Sequence, residues 1–330
     1  MSEQNHATRG STPALYHVVP GVWGLRNVFV NLFYVRDPEA PAGPWVLVDA
    51  GLPGSAPKVL DKAAFLFGED NPPAAIWLTH GHFDHIGALH TLMARWPDVP
   101  VYAHPLELPY LTGRSSYPPP DPSVGGGAMS AMSFLYPKSP IDLGDRVKPL
   151  PEDGTMPGLD GWRWIATPGH APGHVSFFRE SDRTLLAGDA FVTTKQESAM
   201  AVWQQKQEVH GPPAYFTCDW EQARASVQAL AALQPEVAAT GHGIPMHGQE
   251  LRDQLTQLVQ HFDQQAKPAQ GRYVPQPALA DETGVIAVPP PVSSPLSGVL
   301  LTIGVVGLLT YALATQDHPA QQQRLKKAKA

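Results

Sequence analysis

The sequence predicts an α/β domain in which buried strands end at polar turns. Short runs of bulky apolar residues stop abruptly at ligand-type side chains, and segments with helical periodicity lie between them. The predicted strands cover residues 45–48, 75–78, 162–166, 184–187 and 236–239, and the clearest helical patterns cover residues 86–96, 220–233 and 250–265. Two mixed sheets packed face to face with helices outside would bring these turns to one edge. The sequence alone leaves that packing open.

Composition indicates a globular protein that does not bind nucleic acid. Of the 330 residues, 43% are hydrophobic and 16% are charged, which fits one large domain with an appendage. The net charge of −7 gives no basic surplus for contacting phosphates, so nucleic acid is not an expected partner. The single cysteine, Cys218, excludes an intramolecular disulfide and a thiolate-cluster zinc site. Metal ligands would therefore have to be histidines and carboxylates.

The carboxyl-terminal part of the sequence predicts a membrane anchor. Residues 1–262 are expected to form the domain, and residues 263–295, rich in Pro, Gln and Ala, an extended arm and linker. Residues 296–314 contain no charge and are long enough to cross most of a hydrocarbon layer of ~30 Å. Apolar residues occur all round that segment, which favours a transmembrane helix over a hydrophobic helix docked on the domain. A basic tail, residues 315–330, follows.

Charge and targeting signals predict opposite orientations for this anchor. The tail carries Arg324, Lys326, Lys327 and Lys329, so the positive-inside rule places the tail in the cytoplasm and exports the domain. The amino-terminal sequence MSEQNHATRG, however, has no apolar stretch typical of a secretory signal. We therefore expect a cytoplasmic domain held by a C-terminal anchor.

Residues 79–88, THGHFDHIGA, place three histidines and one aspartate close together. On an extended backbone, the side chains of His80 and His82 point the same way, and Gly81 allows close approach, so the pair can grip one metal. Asp84 and His85 follow where the chain enters a helix, and they point towards a second position nearby. Two neighbouring metals are therefore geometrically possible.

Three distant side chains can complete such a pair of sites. His170, in TPGHAPGH, can complete the first site, and His242, in TGHG, the second. Asp189, in AGDA, can bridge both metals with its two carboxylate oxygens. Metals about 3.5–4 Å apart lower the pKa of a water between them towards ~7 and so supply hydroxide at neutral pH. That hydroxide is the expected nucleophile.

Five motifs in this order along the chain resemble the metallo-β-lactamase superfamily of metal-dependent hydrolases. They are VDAG at 48–51, HGHFDH at 80–85, TPGHAPGH at 167–174, GD at 188–189 and GHG at 241–243. The resemblance implies an αββα sandwich with a dinuclear site, in which His80, His82 and His170 hold one metal, Asp84, His85 and His242 hold the other, and Asp189 lies between them. It also implies that Asp49 orients ligands without binding metal. Asp84 would in addition accept a proton as the tetrahedral intermediate breaks down.

The presence of an aspartate at the position of Asp189 distinguishes branches of that superfamily. True zinc β-lactamases generally lack an aspartate equivalent to Asp189, whereas hydroxyacylglutathione hydrolases and acyl-homoserine lactonases share the full ligand set. The resemblance therefore implies a hydrolase of ester-type bonds, lactone or thioester, that acts on a small-molecule substrate. Two Zn²⁺ per chain are the expected cofactor, and the oxygen-rich second site would also accept iron or manganese. No glutathione-binding C-terminal region is recognisable, which disfavours glutathione thioesters.

The sequence leaves two other functions open. One is a sulfur dioxygenase with a single iron, as in another branch of the superfamily, although the presence of Asp84, His85 and His242 together favours two metals. The other is a membrane-tethered metal-binding protein without catalytic activity.

The remaining histidines are given supporting or structural roles, and two long segments are expected to form walls around the site. His174 is expected to form supporting hydrogen bonds without coordinating metal, and His90 and His104 are expected to be structural. His210 could line the pocket or cap a loop. Residues 106–140 predict a lid over the site and residues 191–218 a second wall. Their aromatic and Met residues suit either an apolar acyl group or a cover for the core.

Overall fold

The computed structural model describes residues 14–292, which build two β-sheets packed face to face. The first sheet has seven strands in chain order: β1 (Leu15–Val19), β2 (Val22–Asn27), β3 (Val30–Arg36), β4 (Trp45–Val48), β5 (Ala75–Trp77), β6 (Val101–Ala103) and β7 (Val147–Pro149). Neighbours from β1 to β4 are antiparallel, and neighbours from β4 to β7 are parallel.

The second sheet has the strand order β12-β11-β10-β9-β8. Its strands are β8 (Trp162–Ala166), β9 (Val175–Arg179), β10 (Thr184–Gly188), β11 (Val237–Thr240) and β12 (Met246–His247). Only β10 and β11 pair in parallel within it, so their carboxyl ends meet at one edge of the sandwich. That edge carries two of the predicted metal ligands.

Helices cover the outer face of each sheet. The described residues form α1 (Ala56–Phe67), α2 (Phe83–Ile86), α3 (Leu89–Arg95), α4 (Leu108–Leu111), α5 (Ala128–Ala131), α6 (Ala199–Gln204), α7 (Trp220–Ala232), α8 (Gly248–Gln260) and α9 (Phe262–Gln265). Of these, α1 and α3 pack on the first sheet, and α7 and α8 pack on the second. Helix α8 shows how the sequence produces this packing. Its residues Leu251, Leu255 and Leu258 are buried, and their spacing places them on one apolar stripe of the helix.

Three hydrophobic cores establish the layer order. Between the sheets, Trp77 packs against Phe177 and Trp162, with ring centroids 5.4 and 6.4 Å apart. A second core joins the first sheet to α1 and α3, and a third joins the second sheet to α7 and α8. Both faces of a strand such as β4 are therefore covered, which explains why its four residues are all buried and apolar. The predicted αββα sandwich is confirmed.

The helix predicted over residues 86–96 differs from the observed structure. The chain forms the short α2, which ends at Ile86, and then a separate α3 from Leu89 to Arg95. Between them, the Gly87 N–H donates to Gly51 O at 2.7 Å, so this backbone is tied to the loop after β4. A contact with a residue so distant in sequence is not visible in local periodicity. Strands β4 and β8 have the predicted bounds, and the other predicted strands and the helix over 220–233 shift by one residue at their ends. The helical pattern over 250–265 divides into α8 and α9.

Residues 263–290, predicted as part of an extended arm and linker, pack on the domain instead. Tyr273 is buried, and its hydroxyl donates to Pro119 O at 2.6 Å. The hairpin of β13 (Leu279–Asp281) and β14 (Gly284–Ala287) is held by the Val285 N–H, which donates to Ser115 Oγ at 3.0 Å. The compact unit that contains the sandwich therefore extends to Pro290.

Within residues 14–292, no helix combines the length and the hydropathy needed to cross a membrane. The predicted C-terminal hydrophobic helix, residues 296–314, and the basic tail, residues 315–330, lie outside the described residues.

Candidate metal centre

The seven predicted metal ligands come together at one edge of the sandwich, from the ends of strands in both sheets. The first sheet supplies His80 and His82 after β5, and Asp84 and His85 on α2. The second supplies His170 between β8 and β9, Asp189 after β10 and His242 after β11. All seven are buried.

A three-histidine group is formed by His80, His82 and His170, whose ligand atoms lie within 4.8 Å of one another. His82 Nδ1 is 3.0 Å from His170 Nε2. His80 turns its Nδ1 towards Thr79 Oγ1 at 3.1 Å, which leaves its Nε2 facing the centre of the group. This arrangement can hold one metal ion.

A mixed group is formed by Asp84, His85 and His242, again with ligand atoms within 4.8 Å of one another. Asp84 Oδ2 lies 3.6 Å from His242 Nε2. Asp189 lies between the two groups: its Oδ2 is 3.0 Å from His242 Nε2 and 3.5 Å from His170 Nε2. A single carboxylate therefore contacts both groups.

Unpaired polar atoms show that these residues fit a cation. His80 Nε2, His85 Nε2 and Asp189 Oδ1 are buried and have no hydrogen-bond partner. Leaving such an atom buried and unsatisfied costs about 1–3 kcal/mol each. Imidazole nitrogens and carboxylate oxygens that converge on one point are the ligands that a divalent metal takes in proteins. The donor set therefore fits one or two metal ions.

Hydrogen bonds around the site fix the direction of its side chains. Asp49 Oδ2 accepts from His85 Nδ1–H at 2.8 Å, and Asp49 also accepts from the N–H and the hydroxyl of Thr79. His242 Nδ1–H donates to Phe29 O at 2.7 Å. When each ring is neutral, as it must be to bind metal, this bond leaves the ring nitrogen that faces the site free of a proton.

His174 supports Asp189 through the backbone. Its Nε2 accepts from the Asp189 N–H at 2.8 Å, and its Nδ1–H donates to Thr167 Oγ1 at 2.8 Å. Burial lowers the pKa of His174 to about 3, so the ring is neutral and can accept that bond. His174 is therefore placed to hold the peptide that carries the acidic ligand.

The three-histidine group is electrically neutral without metal. Burial lowers the pKa of His170 to about 3. Burial and the neighbouring histidines lower the pKa values of His80 and His82 well below the ordinary value. Neutral imidazole is the form that binds metal.

The mixed group is charged. Burial would raise the pKa of Asp189, but His242 and His85 hold it well below its ordinary value. Burial would lower the pKa of His85, but Asp189 and Asp49 raise it well above its ordinary value. The carboxylates thus attract positive charge into this group, and a bound cation would supply that charge in place of a proton.

Aromatic residues from the two predicted walls meet beside His82. Phe216, from residues 191–218, stacks on the His82 ring with centroids 4.3 Å apart. Tyr136, from residues 106–140, has its ring 5.9 Å from Phe216 and 5.6 Å from Phe83. An apolar wall therefore flanks the three-histidine group.

Among the other histidines, His90 is exposed and is not part of the centre. His104 accepts from the Leu106 N–H at 3.2 Å and so caps a short turn. His210 Nδ1 lies 4.0 Å from Glu197 Oε2, and its backbone pairs with Val192.

Sequence reasoning missed two buried residues of the predicted lid, Glu107 and Tyr117. Both contact the backbone between His80 and His82. The available signal was a lone glutamate in the otherwise apolar run PLELPYL.

Comparisons with known proteins agree with this geometry. The family model of the metallo-beta-lactamase superfamily matches residues 25–242. The probable metallo-hydrolase YflN of Bacillus subtilis (strain 168) is 49% identical over 244 residues, which cover 74% of this chain and 92% of that protein. A hydroxyacylglutathione hydrolase of Erwinia tasmaniensis is 33% identical over 117 residues, which cover 36% of this chain and 33% of that protein.

Among solved structures, a B3 metallo-beta-lactamase with an active-site glutamic acid has a TM-score of 0.50 at 15% identity. The match covers 76% of this chain and 89% of that chain, and it supports the fold alone. The region matched by the family model includes both ligand groups and Asp189. The chain belongs to the metallo-beta-lactamase superfamily.

Proposed function

We propose that this protein is a dinuclear metal-dependent hydrolase that cleaves an ester-type bond, either a lactone or a thioester. The observation that carries the proposal is the position of Asp189. Its Oδ2 lies 3.0 Å from His242 Nε2 and 3.5 Å from both His85 Nε2 and His170 Nε2. A carboxylate that contacts histidines of both groups suits a bridge between two cations.

The three-histidine group would hold one cation, and Asp84, His85 and His242 the other. When bound, the pair would supply a water that ionises near neutral pH and positive charge for the oxyanion that develops on the substrate. Asp84 would receive the proton of the attacking water and return it to the leaving group. Zn²⁺ suits this imidazole-rich set, and the mixed group would also accept iron or manganese.

The wall beside His82 supports a substrate with an apolar acyl group. Phe83, Tyr136 and Phe216 present ring surface there, and such surface favours contact with hydrocarbon. The partial likeness to a hydroxyacylglutathione hydrolase supports an acyl substrate as well. We propose a small-molecule substrate and no nucleic-acid partner, because the chain has a net charge of −7.

We further propose that residues 296–314 anchor the chain in a membrane, with the domain in the cytoplasm. The stretch carries no charge and has the length of a span.

Metal content and hydrolysis, measured on the same preparation, test the function. We would determine zinc, iron and manganese by elemental mass spectrometry on the full chain, purified in mild detergent. The preparation would then be assayed against a panel of lactones, thioesters and one β-lactam. We expect two metals per chain and turnover of a lactone or a thioester, with Asp84→Asn retaining the fold and losing turnover.

The other outcomes identify the alternatives. One iron per chain, no hydrolysis and oxygen uptake with a persulfide would replace the proposal by a sulfur dioxygenase. Two metals with no turnover across the panel would favour a metal-binding protein without catalytic activity.

A further inference from the structure

Glu107 joins the two loops that carry the three-histidine group. It ends a short 3-10 turn, Pro105–Glu107, after β6, and its side chain is fully buried. Glu107 Oε2 accepts from the Gly81 N–H at 2.9 Å, and Oε1 accepts from the Gly173 N–H at 2.8 Å. Gly81 lies between His80 and His82, and Gly173 lies in the same loop as His170, between β8 and β9.

Tyr117 completes this connection. Its hydroxyl accepts from the Gly81 N–H at 2.8 Å and donates to Glu107 Oε2. Its ring lies against the His82 imidazole, with centroids 4.7 Å apart, and stacks on Tyr110 at 3.9 Å. The hydroxyl and the ring therefore act on the same short segment, residues 80–82.

The two glycines leave the space that these side chains occupy. A Cβ added at Gly81 would lie 2.6 Å from Tyr117 Oη, and one added at Gly173 would lie 2.9 Å from Glu107 Oε1. Both distances are shorter than atoms tolerate, so a larger residue at either position would displace the glutamate or the tyrosine. The glycines in HGH and in APGH thus serve this contact as well as the local turns.

We propose that Glu107, assisted by Tyr117, is a positioning residue that sets the geometry and affinity of the three-histidine metal site. The carboxylate holds the two loops in register by one hydrogen bond to each, although it contacts no metal ligand atom itself. Outer hydrogen bonds of this kind typically contribute 10–100-fold to metal affinity. The inference rests on the metal site of the proposed function and adds a residue pair to it.

The substitution Glu107→Gln tests this role most directly because it preserves the shape of the side chain and removes one of its two hydrogen-bond acceptors. A carboxylate offers both oxygens to the two glycine N–H groups, whereas an amide offers one oxygen and turns its NH₂ towards the other N–H. One loop then loses the acceptor that Glu107 supplies, and at Gly81 only the Tyr117 hydroxyl remains. We expect Glu107→Gln to weaken Co²⁺ binding at the three-histidine site by about 10–100-fold and to leave the mixed site unchanged.

The test is a Co²⁺ titration of the full-length metal-free protein, followed by visible absorption spectroscopy and competition with a chelator. His170→Ala and His242→Ala provide reference spectra with the three-histidine site and the mixed site impaired, respectively. Asp121→Asn is the matched control, because Asp121 is also a buried carboxylate that accepts backbone N–H groups, from Ser123 and Arg272. The Glu107→Gln spectrum should resemble that of His170→Ala, and the control should resemble wild type.

A milder variant covers the case in which Glu107→Gln does not fold. Tyr117→Phe keeps the ring against His82 and removes only the hydroxyl, and we expect it to weaken the same site by up to about tenfold. Tyr34→Phe is its control, since the buried Tyr34 hydroxyl bonds to Val59 O on α1. Wild-type affinity at the three-histidine site in the folded variants would overturn the proposal, and so would equal weakening of both sites. Co²⁺ binding is measured without a substrate. The absence of hydrolytic activity would therefore refute the proposed function and leave the inference about Glu107 intact.

Discussion

Replacement of Asp49 by asparagine should weaken the mixed metal site although Asp49 is not one of its ligands. The Asp49 carboxylate accepts from His85 Nδ1–H, from the Thr79 N–H and from the Thr79 hydroxyl, each at 2.8 Å. When His85 is neutral, as it must be to bind metal, the bond from Nδ1–H keeps its Nε2 free of a proton. That Nε2 lies 3.5 Å from Asp189 Oδ2. The carboxylate therefore fixes the tautomer that can bind metal.

Asparagine changes this hydrogen bonding without disturbing the backbone. Asp49 has φ = 62°, a left-handed conformation in which asparagine is also well tolerated. Its single oxygen can satisfy only one of the two N–H donors. The Thr79 backbone cannot change its proton, but an imidazole can, so we expect the amide oxygen to bond to the Thr79 N–H. His85 would then accept from the amide NH₂ through Nδ1 and carry its proton on Nε2, which faces the site.

The expected effect is a 10–100-fold rise in the dissociation constant of the mixed site, or about 1.4–2.7 kcal/mol. Chelator competition with Co²⁺ would measure it. Two-dimensional ¹H–¹⁵N NMR of the imidazoles in the metal-free protein, at a pH above the raised pKa of His85, would identify the tautomer of the neutral ring. Asp121→Asn again serves as the control for loss of a buried carboxylate. Unchanged affinity together with a proton on Nε2 would refute the assigned role of the tautomer, and unchanged affinity with the proton still on Nδ1 would refute the expected rearrangement.

Three further predictions address the bridge, acid stability and the anchor. Asp189→Ala should lose metal from both groups, because its carboxylate contacts each, and two retained metals by elemental mass spectrometry would exclude a bridging role. Burial lowers the pKa of His104, so its contribution to stability is complete above about pH 6.5 and is lost as the pH falls. His104→Asn, whose oxygen can accept from the Leu106 N–H, should therefore lose less unfolding free energy than wild type between about pH 7.5 and 5.5 in urea titrations. Removal of residues 293–330 should leave the urea midpoint unchanged and abolish co-sedimentation with phosphatidylcholine vesicles. A lowered midpoint would instead show that this segment stabilises the domain.

Local patterns predict the strands and ligand-bearing turns of this protein well because both are short-range features. Strands β4 and β8 have the bounds expected from their apolar runs, and His80 and His82 follow β5 as their spacing requires. Contacts between distant segments were not predictable in the same way. Glu107 acts on residues 26 and 66 positions away, and no periodicity or spacing rule connects them.

The arm predicted over residues 263–295 shows a second limit of sequence reasoning. Its Pro and Gln content resembles that of linkers, since such segments seldom bury enough apolar surface to pack. Here individual contacts hold the chain against the domain. The Tyr273 ring is buried and its hydroxyl donates to Pro119 O, and the Val285 N–H donates to Ser115 Oγ. Composition averages over the segment and therefore hides the few contacts that fix its position.

The charges of the ligand set have a consequence for the reaction class. Two divalent cations would bring four positive charges, while the histidines are neutral when they bind metal. Asp84 and Asp189 would offset two of those charges, and Asp49 adds a third carboxylate that reaches the site through His85. The centre would remain positive, which favours an ionised water and a developing oxyanion. Loss of Asp189 would increase that positive charge while removing the group that holds the two cations together. In the proposed dinuclear centre, Asp189 would thus couple the chemistry of the centre to its assembly, and we expect Asp189→Ala to impair both.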